Sequence, residues 1–316
     1  MWPAVISKEK FIYGESYPGI RMRREKLLKV TPFLKWAGGK RKLAEIYEQI
    51  GAFPRVFKQY YEPFVGGGAV FFRLQPEHAT LSDSNPELIN TYMVIKNKKN
   101  SLFELLEEHQ IRHLKGKEQY YYKIRNIEPC SLNDVERAAR TIFLNRTCFN
   151  GLYRVNQKGH FNVPYGRYKN PRILDINNLQ RVSQLLQDTI LKTTDFEKGV
   201  HSANKGDFVY LDPPYRPLNV TSSFTSYTEQ NFDDEDQSRL AILFENLSNR
   251  GCLILESNSD TTIIRDLYSK RGIHISEVKA PRIINCKASG RGPITELVIS
   301  NYAFHTSKSS QTILSS

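Results

Sequence analysis

One short run of the sequence, Asp212, Pro213, Pro214 and Tyr215, has the composition of a site that could hold a planar amine for reaction. It follows an apolar run with strand character, Phe208 to Leu211, so Asp212 is expected at the end of a buried strand. Prolines have a fixed φ angle and no backbone N–H, which leaves the carbonyl of Pro213 as a rigid acceptor. Together with the Asp212 carboxylate it could accept both hydrogens of an exocyclic base amine and favour a nucleophilic nitrogen, with Tyr215 stacked on the base. The alternative is a turn that ends the strand and carries a structural tyrosine.

A second candidate site contains three glycines between a strand pattern and a helical pattern. The run Tyr60 to Val65 leads into Gly66, Gly67 and Gly68, and such glycines let a backbone approach a ligand closely and turn sharply. Asp83 ends the next apolar run, where an acid is placed to accept hydrogen bonds from ribose hydroxyls. No phosphate-binding lysine of the P-loop kind accompanies the glycines, which favours a nucleoside cofactor over a nucleoside triphosphate. For the glycines alone, a structural turn is an equal alternative.

The elements that must position these residues alternate between strand and helix patterns. This alternation predicts an α/β protein with a mostly parallel sheet and helices on both faces. Strands are expected at Tyr60 to Val65, Ala79 to Ser82, Phe208 to Leu211, Cys252 to Leu255, Ile273 to Val278 and Glu296 to Tyr302. Helices are expected at Arg41 to Ile50, Pro86 to Ile95, Leu179 to Leu186 and Asp233 to Leu247.

A basic and tyrosine-rich stretch, residues 96–172, interrupts the alternation. Gly151, Gly159 and Gly166 inside it indicate hairpin and loop structure, so we expect an inserted second domain. From Arg112 to Arg172 there are 13 basic residues against four acidic ones, and the whole chain has a formal net charge of +12. Because lysines and arginines that neutralise phosphates release condensed counterions, this distribution favours a nucleic acid partner.

The rest of the chain is predicted to form one domain with extensions at both ends. Residues 31–95 and 173–305 would form the main domain, residues 1–30 an N-terminal extension, and residues 306–316 a disordered polar tail. No apolar run approaches the roughly 18 to 20 residues needed to cross a bilayer. The four cysteines are widely spaced, which predicts neither a metal site nor a disulfide framework and favours a reducing cytoplasm.

Six motifs together resemble one known family, the Dam-type DNA adenine methyltransferases of the D12 class. They are F-L-K-W-A-G-G-K at 33–40, E-P-F-V-G-G-G at 62–68, S-D-S-N at 82–85, R-T-C-F-N-G-L-Y-R-V-N at 146–156, F-N-V-P-Y-G-R-Y at 161–168 and D-P-P-Y at 212–215. Their order is similar to the alpha arrangement of these enzymes. The resemblance implies a Rossmann-like sheet that binds S-adenosylmethionine and an inserted, mainly helical DNA-recognition domain that carries a β-hairpin.

The resemblance also implies which residues contact the cofactor. Lys40 is suited to its carboxylate, and Asp83 looks like the ribose acceptor. Asp195 and Phe196 resemble the strand-end pair that meets the cofactor adenine, although an acid at a strand end is common in other α/β proteins. The residues assigned to the cofactor are Trp36, Lys40, Phe64, Gly66, Gly67, Gly68, Asp83, Asp195, Phe196 and Asp212.

For DNA, the family resemblance points to the insertion and to Lys35. Arg154 is the best candidate for a base reader, because a guanidinium can donate two hydrogen bonds in the major groove; a phosphate contact is the alternative. Phe149 would wedge or stack into the duplex, and Lys35 is similar to the family lysine that reads the first base. The residues assigned to DNA are Lys35, Phe149, Asn150, Leu152, Arg154 and Pro164. These matches point to GATC, or to a longer site that begins GAT.

The expected reaction extrudes an adenine from duplex DNA and lets its amine attack the cofactor methyl group, in a monomer and without a metal. Two rival functions stay open. One is methylation of an amine or amide in protein or RNA, against which the basic insertion argues. The other is a DNA-binding protein without catalysis, against which the intact glycines, Asp83 and the D-P-P-Y string argue.

Overall fold

The computed structural model describes residues 28–36, 40–156, 158–215, 232–270, 272–280 and 294–304. The strands in these ranges are β1 (Tyr60–Glu62), β2 (Ala79–Asp83), β3 (Thr189–Thr193), β4 (Phe208–Leu211), β5 (Leu253–Ser259), β6 (His274–Ala280) and β7 (Ile294–Ser300). They form one seven-stranded sheet with the order β3-β2-β1-β4-β5-β7-β6. The predicted N-terminal extension, up to residue 27, and the predicted tail lie outside the described residues.

The sheet is mostly parallel. β1 pairs in parallel with β2 and β4, and the outer pairs β2 with β3 and β4 with β5 are parallel too. Only β7 runs against its neighbours β5 and β6 among the pairs described here. The chain order reverses direction between β1 and β4, and ligands of such sheets bind at this point, beyond the carboxyl ends of the strands.

Helices cover both faces of the sheet. They are α1 (Arg41–Gln49), α2 (Ala69–Leu74), α3 (Pro86–Asn97), α4 (Lys99–Arg125), α5 (Asp134–Thr147), α6 (Ile176–Leu186), α7 (Phe196–Gly199), α8 (Asp234–Asn249) and α9 (Thr262–Leu267). Side chains alternate between the two faces along β4: Phe208 and Tyr210 join the apolar cluster that contains α1 to α6, while Val209 and Leu211 join the cluster of α7 to α9. This arrangement confirms the predicted α/β class.

Helix starts at the carboxyl edge of the sheet have clear local causes. Asn85 accepts hydrogen bonds from the first backbone N–H groups of α3, and Pro86 occupies its first turn. Asp195 caps α7 in the same way. Asp233 and Asp236 form a reciprocal capping box at the start of α8. These caps place short loops directly beyond β2 and β3, beside the end of β4.

The six predicted strands and four predicted helices correspond to described elements. The apolar pattern did not predict β3, because it is an edge strand with mostly exposed or partly exposed residues; only the family resemblance placed a strand end at Asp195. No helix in the described part of the chain is long and apolar enough to span a membrane.

The stretch predicted as an insertion contains α4 and α5. Leu102 and Phe143, from these two helices, belong to the same apolar cluster as Leu88 of α3. Beyond α5 the chain turns back on itself, with antiparallel bridges that join Cys148 to Tyr165 and Val155 to Phe161. The division of the chain into two domains stays a prediction.

Candidate active site and DNA interface

Four acids lie at the carboxyl ends of neighbouring parallel strands. Glu62 ends β1, Asp83 ends β2, Asp195 follows β3, and Asp212 follows β4. Pro213, the next residue after Asp212, is buried. Because these strand ends share one edge of the sheet, residues that are far apart in sequence meet around a single site.

The carboxylate of Asp212 is held from two sides. The hydroxyl of Ser257, on the adjacent strand β5, donates to Asp212 Oδ1 at 2.9 Å, and the Lys40 ammonium lies 3.2 Å from the same oxygen. The Tyr210 hydroxyl lies 2.9 Å from Ser257 Oγ, so it can donate to Ser257 while Ser257 donates to Asp212. Burial raises the pKa of Asp212, while Lys40 and Ser257 stabilise its ionised form and act against that rise. The site therefore presents a partly desolvated carboxylate in a fixed orientation.

The ring of Tyr215 lies beside this carboxylate, under the Lys40 ammonium. Its hydroxyl donates to Glu296 Oε2 at 2.7 Å, and burial raises its pKa well above the usual value. Lys40 Nζ is 3.9 Å from the ring centroid and 3.6 Å from Glu296 Oε2. Lys40 was predicted to bind the cofactor carboxylate. In the structure its ammonium contacts Asp212 and Tyr215, the residues predicted to hold the base, and its role toward the cofactor stays a prediction.

The proline backbone after Asp212 is anchored by α8 and β5. Gln237 donates to the Pro214 carbonyl at 3.2 Å, and Asn258 donates both to Gln237 at 3.0 Å and to Glu256 at 2.9 Å. Glu256 is fully buried and also accepts from the Tyr268 hydroxyl at 2.7 Å. Burial raises the pKa of Glu256 to about 7. A continuous hydrogen-bond network therefore supports the D-P-P-Y loop from behind.

The glycine loop is packed too tightly for larger residues. Gly66 and Gly68 have φ angles of +46° and +67°, in the left-handed region. A Cβ atom at Gly66 would lie 2.8 Å from the Trp36 ring, and one at Gly68 would lie 2.6 Å from the Tyr92 hydroxyl. Gly67 also packs against Trp36, where a Cβ atom would be 3.4 Å from that side chain. The backbone of this loop is therefore the surface available to a ligand.

Two of the strand-end acids are hydrogen-bonded within the protein, and one of them, Asp83, supports the loop. Asp83 accepts from the backbone N–H of Gly66 at 3.1 Å and from that of Asn85 at 3.0 Å, and burial raises its pKa to about 6. Glu62 accepts from the Tyr60 hydroxyl at 2.8 Å, and burial raises its pKa well above the usual range. Asp83 thus connects the glycine loop to the end of β2.

A cluster of aromatic side chains lies next to Asp195. The rings of Phe64 and Phe196 stack with centroids 5.3 Å apart, and Phe232 packs edge-on against Phe64 at 5.7 Å. Asp195 accepts from Arg239 at 3.3 Å, and the Arg239 guanidinium lies 4.8 Å above the Phe196 ring. The Asp195 carboxylate therefore already accepts hydrogen bonds from the Arg239 guanidinium and from the first turn of α7.

The residues predicted to contact DNA lie on two adjacent segments. Lys35, Phe149, Asn150 and Pro164 are exposed, whereas Leu152 is partly buried. Asn150 has a φ angle of +56°, and the Pro164 carbonyl accepts from the N–H of Phe149 at 2.8 Å. The structure thus presents a compact turn directly after α5.

Arg154 lies on the strand-like arm beyond this turn. Its Nε donates to Asn162 Oδ1 at 2.6 Å, and its guanidinium also donates to the Asn162 carbonyl at 3.3 Å. Trp36, predicted to contact the cofactor, stacks on Tyr153 with centroids 5.1 Å apart and also touches the glycine loop. Trp36 therefore connects the two predicted binding regions.

Three of the basic residues counted in the sequence stabilise the protein itself. Arg137 pairs with Glu87 of α3, Arg140 is buried and donates to two carbonyls near the end of α4, and Arg146 donates to the Phe33 carbonyl at 2.8 Å. The basic side chains of this stretch that are exposed are Arg112, Lys115, Lys117, Lys123, Lys158, Arg167, Lys169 and Arg172. Of this exposed set, Arg112, Arg167 and Arg172 also form surface ion pairs with acidic residues, and the set as a whole is the charge that faces solvent, where a polyanion could contact it.

Sequence reasoning missed several residues that shape the site. Ser257, Gln237, Glu296 and Phe232 are among them, and all come from elements beyond the D-P-P-Y string. A signal did exist for Ser257: the polar run Glu256 to Ser259 continues a buried strand, and buried polar groups require partners. Among the described residues, no group of three or more His, Cys, Asp or Glu side chains is placed to hold a metal ion.

The sheet order, the glycine loop and the acid beyond β4 are consistent with a Rossmann-like methyltransferase. The family model for D12 class N6 adenine-specific DNA methyltransferases matches residues 36–283. The chain belongs to this family.

Similar proteins cover most of the chain. The type II methyltransferase M1.LlaDCHI of Lactococcus lactis subsp. cremoris is 44% identical over 281 residues, which are 87% of this chain and 96% of the relative. The type II methyltransferase M.MjaIII of Methanocaldococcus jannaschii is 45% identical over 295 residues, 87% of this chain and 100% of the relative. A DNA adenine methylase of Vibrio cholerae is 36% identical over 271 residues, 85% of this chain and 95% of the relative.

Proposed function

We propose that this chain transfers the methyl group of S-adenosylmethionine to the N6 amino group of adenine in duplex DNA, at GATC or at a longer site that begins GAT. The observation that carries the proposal is the oriented, partly buried Asp212 carboxylate beside the Tyr215 ring, at the strand edge that also holds the glycine loop. The family supports DNA adenine as the substrate. Relatives named DNA adenine methylase, together with the six motifs, support the Dam-type site.

The glycine loop and its neighbours fit a nucleoside methyl donor. Gly66 and Gly68 leave no space for side chains, so the loop backbone would line the donor. Asp83 accepts one hydrogen bond from the loop, at Gly66, and one from Asn85, and because a carboxylate offers about four acceptor positions, it retains capacity for ribose hydroxyls. The stacked rings of Phe64 and Phe196 offer an apolar wall. When bound, S-adenosylmethionine supplies an electrophilic methyl group.

The residues of the D-P-P-Y loop act on the adenine. The Asp212 carboxylate and the Pro213 carbonyl accept the two hydrogens of the amine, which draws its lone pair out of conjugation with the ring. Stacking on Tyr215 and these two hydrogen bonds offset the few kcal/mol that it costs to unstack a base. Ser257 keeps the carboxylate in the orientation that this role needs.

Lys40 covers one face of the Tyr215 ring, so its side chain must move before a base can stack on that face. Its ammonium lies over the Tyr215 ring and beside Asp212 Oδ1. The ammonium stabilises the partly buried carboxylate when no amine is bound, because a charge removed from water needs a partner. When the adenine amine replaces the Lys40 ammonium as the donor, Asp212 keeps a hydrogen bond.

Recognition of DNA is assigned to Lys35 and to the turn and arm beyond α5. Lys35 would read the first base, and Phe149 would insert into the duplex. Arg154 would donate to a guanine edge, with Asn162 holding its guanidinium in a fixed direction. The exposed lysines and arginines of the same stretch would bind phosphates.

The remaining proposals concern the whole protein. We infer that it acts as a monomer in the cytoplasm, with residues 96–172 as the recognition domain and the rest of residues 31–305 as the catalytic domain. Cys130, Cys148 and Cys252 are free thiols, which fits a reducing compartment. Light scattering of the purified protein checks the monomer.

The assignment is tested by methyl transfer from tritium-labelled S-adenosylmethionine to DNA, RNA and protein side by side. We expect label in duplex DNA, as N6-methyladenine, and no transfer by Asp212→Ala, which should keep part of its donor and DNA binding. Label in RNA or protein at the level of DNA would contradict the substrate. Near-normal transfer by Asp212→Ala would contradict the catalytic assignment.

A further inference from the structure

The side chain of Asn145, near the end of α5, joins two segments that are far apart in sequence. Its Oδ1 accepts from the backbone N–H of Lys35 at 2.8 Å, across 110 residues. Its Nδ2 donates to the Lys35 carbonyl at 2.7 Å and to the Gly151 carbonyl at 2.9 Å. The residue is only 1% exposed, so water does not compete for these bonds. Both amide hydrogens and the oxygen are thus committed to the backbone of Lys35 and Gly151.

The two segments also pack directly against each other. Gly151 has a φ angle of +64°, and a Cβ atom there would lie 2.7 Å from Cβ of Lys35. The neighbours of these residues, Trp36 and Tyr153, stack with an interplanar angle of 24°. The Lys35 ammonium lies 4.8 Å above the Tyr168 ring. Lys35 and the turn beyond α5 therefore form one packed unit, and Asn145 provides its hydrogen bonds.

We infer that Asn145 is a positioning residue for sequence recognition, which fixes Lys35 relative to the turn that contains Phe149 and Asn150. The inference rests on the proposed function, in which both segments contact the same DNA site. Lys35 has a long, flexible side chain, so the location of its ammonium depends on where its backbone is held. A hydrogen bond to a base edge tolerates only a few tenths of an ångström, and a loosely held backbone would exceed this range.

The substitution Asn145→Asp tests this role with little change in size. The acceptor for the Lys35 N–H is kept, but an oxygen now faces the carbonyls of Lys35 and Gly151, and both donated hydrogen bonds are lost. A good contact to a base edge gives about 1 to 3 kcal/mol of discrimination. We therefore expect the discrimination against a changed first base pair to fall about tenfold. Affinity for the methyl donor is measured beside it, because Trp36, the residue after Lys35, packs against the glycine loop.

Thr147→Val is the matched control on the same helix. The buried hydroxyl of Thr147 donates to the Phe143 carbonyl at 2.7 Å, so its removal costs one buried hydrogen bond without a change at Lys35 or Gly151. We expect this variant to melt at a lower temperature and to keep the wild-type ranking of duplexes. If Asn145→Asp does not fold, Asn145→Ser, which is neutral and too short to reach both carbonyls, takes its place.

The measurement is kcat/KM for methyl transfer to a set of duplexes, each with one base pair of the site changed. Selective loss of discrimination at the first base pair in the Asn145 variant, but not in Thr147→Val, supports the inference. An equal loss of rate on every duplex, with the ranking unchanged, would show that Asn145 is only structural and would overturn it, while leaving the proposed function intact. Absence of methyl transfer to any duplex by the wild-type protein would overturn both.

Discussion

Replacing Ser257 with alanine removes a hydroxyl that is buried between Tyr210 and Asp212. Asp212 Oδ1 loses the hydrogen bond donated at 2.9 Å, and the Tyr210 hydroxyl loses its partner at 2.9 Å. Ser257 is 0% exposed, and the space of one oxygen atom is too small for a water molecule, so solvent cannot replace the donor. A hydrogen bond to a charged group contributes about 1.5 to 3 kcal/mol. Because Asp212 must stay oriented through the transition state, we expect kcat to fall about 10- to 150-fold.

The same substitution changes the pH dependence of the rate. Burial raises the pKa of Asp212, and Lys40 and Ser257 oppose this rise. Loss of Ser257 therefore raises the pKa further. A carboxylate that must be ionised loses activity as the pH falls through its pKa, so the acidic limb of Ser257→Ala should lie at higher pH than that of the wild-type protein.

Ser259→Ala is the control for this experiment. Ser259 lies two positions further along β5, and its buried hydroxyl has no hydrogen-bond partner in the part of the chain that the structure describes. Single-turnover methyl transfer is measured over a range of pH for both variants, with donor affinity from calorimetry. We expect wild-type kcat and an unchanged acidic limb for Ser259→Ala. Wild-type kcat and limb in Ser257→Ala, or equal losses in both variants, would refute the reasoning.

Three further substitutions test other parts of the account. Gly68→Ala places a Cβ atom 2.6 Å from the Tyr92 hydroxyl at a φ angle of +67°, and should weaken S-adenosylmethionine binding by about tenfold in calorimetry; unchanged affinity would exclude the loop from the donor site. Arg154→Ala should reduce discrimination at one base pair by roughly 1 to 3 kcal/mol, and an unchanged duplex ranking would make Arg154 a phosphate contact. Glu256→Gln tests stability: the pKa of Glu256 is raised from 4.5 to about 7, so its contribution to stability is present below about pH 4.5 and is lost as the pH rises through 7. Urea unfolding should show that the wild-type protein loses about 3 kcal/mol more than Glu256→Gln over this range; parallel pH dependences would contradict this.

Local patterns were enough to predict the centre of the sheet. Phe208 to Leu211 are uniformly apolar because β4 is covered on both faces, and a strand of this kind followed by two prolines has a defined end. The turn at the three glycines and the strand end at Asp83 could be predicted for a similar reason, because each feature depends on residues close in sequence. β3 was missed because an edge strand has few buried side chains to produce a pattern.

Contacts between distant segments could not be predicted from one sequence. The ammonium of Lys40 contacts Asp212 and Glu296, which follow it by more than 170 residues and are brought to it only by the order of the strands. Basic charge is another example, because Arg140 and Arg146 have the composition of a DNA-binding surface but donate to backbone carbonyls inside the protein. Composition reports how many charges exist, and packing decides which of them remain exposed.

The central claim is that this chain methylates N6 of adenine in a sequence that begins GAT. The most direct test is to treat an unmethylated plasmid with the purified protein and S-adenosylmethionine and to map N6-methyladenine along it by methylation-sensitive cleavage and sequencing, with Asp212→Ala as the blank. We predict modified adenines only within GATC or a longer site that begins GAT, and none with Asp212→Ala. Modified adenines in unrelated sequences, or modification of a different base, would contradict the account.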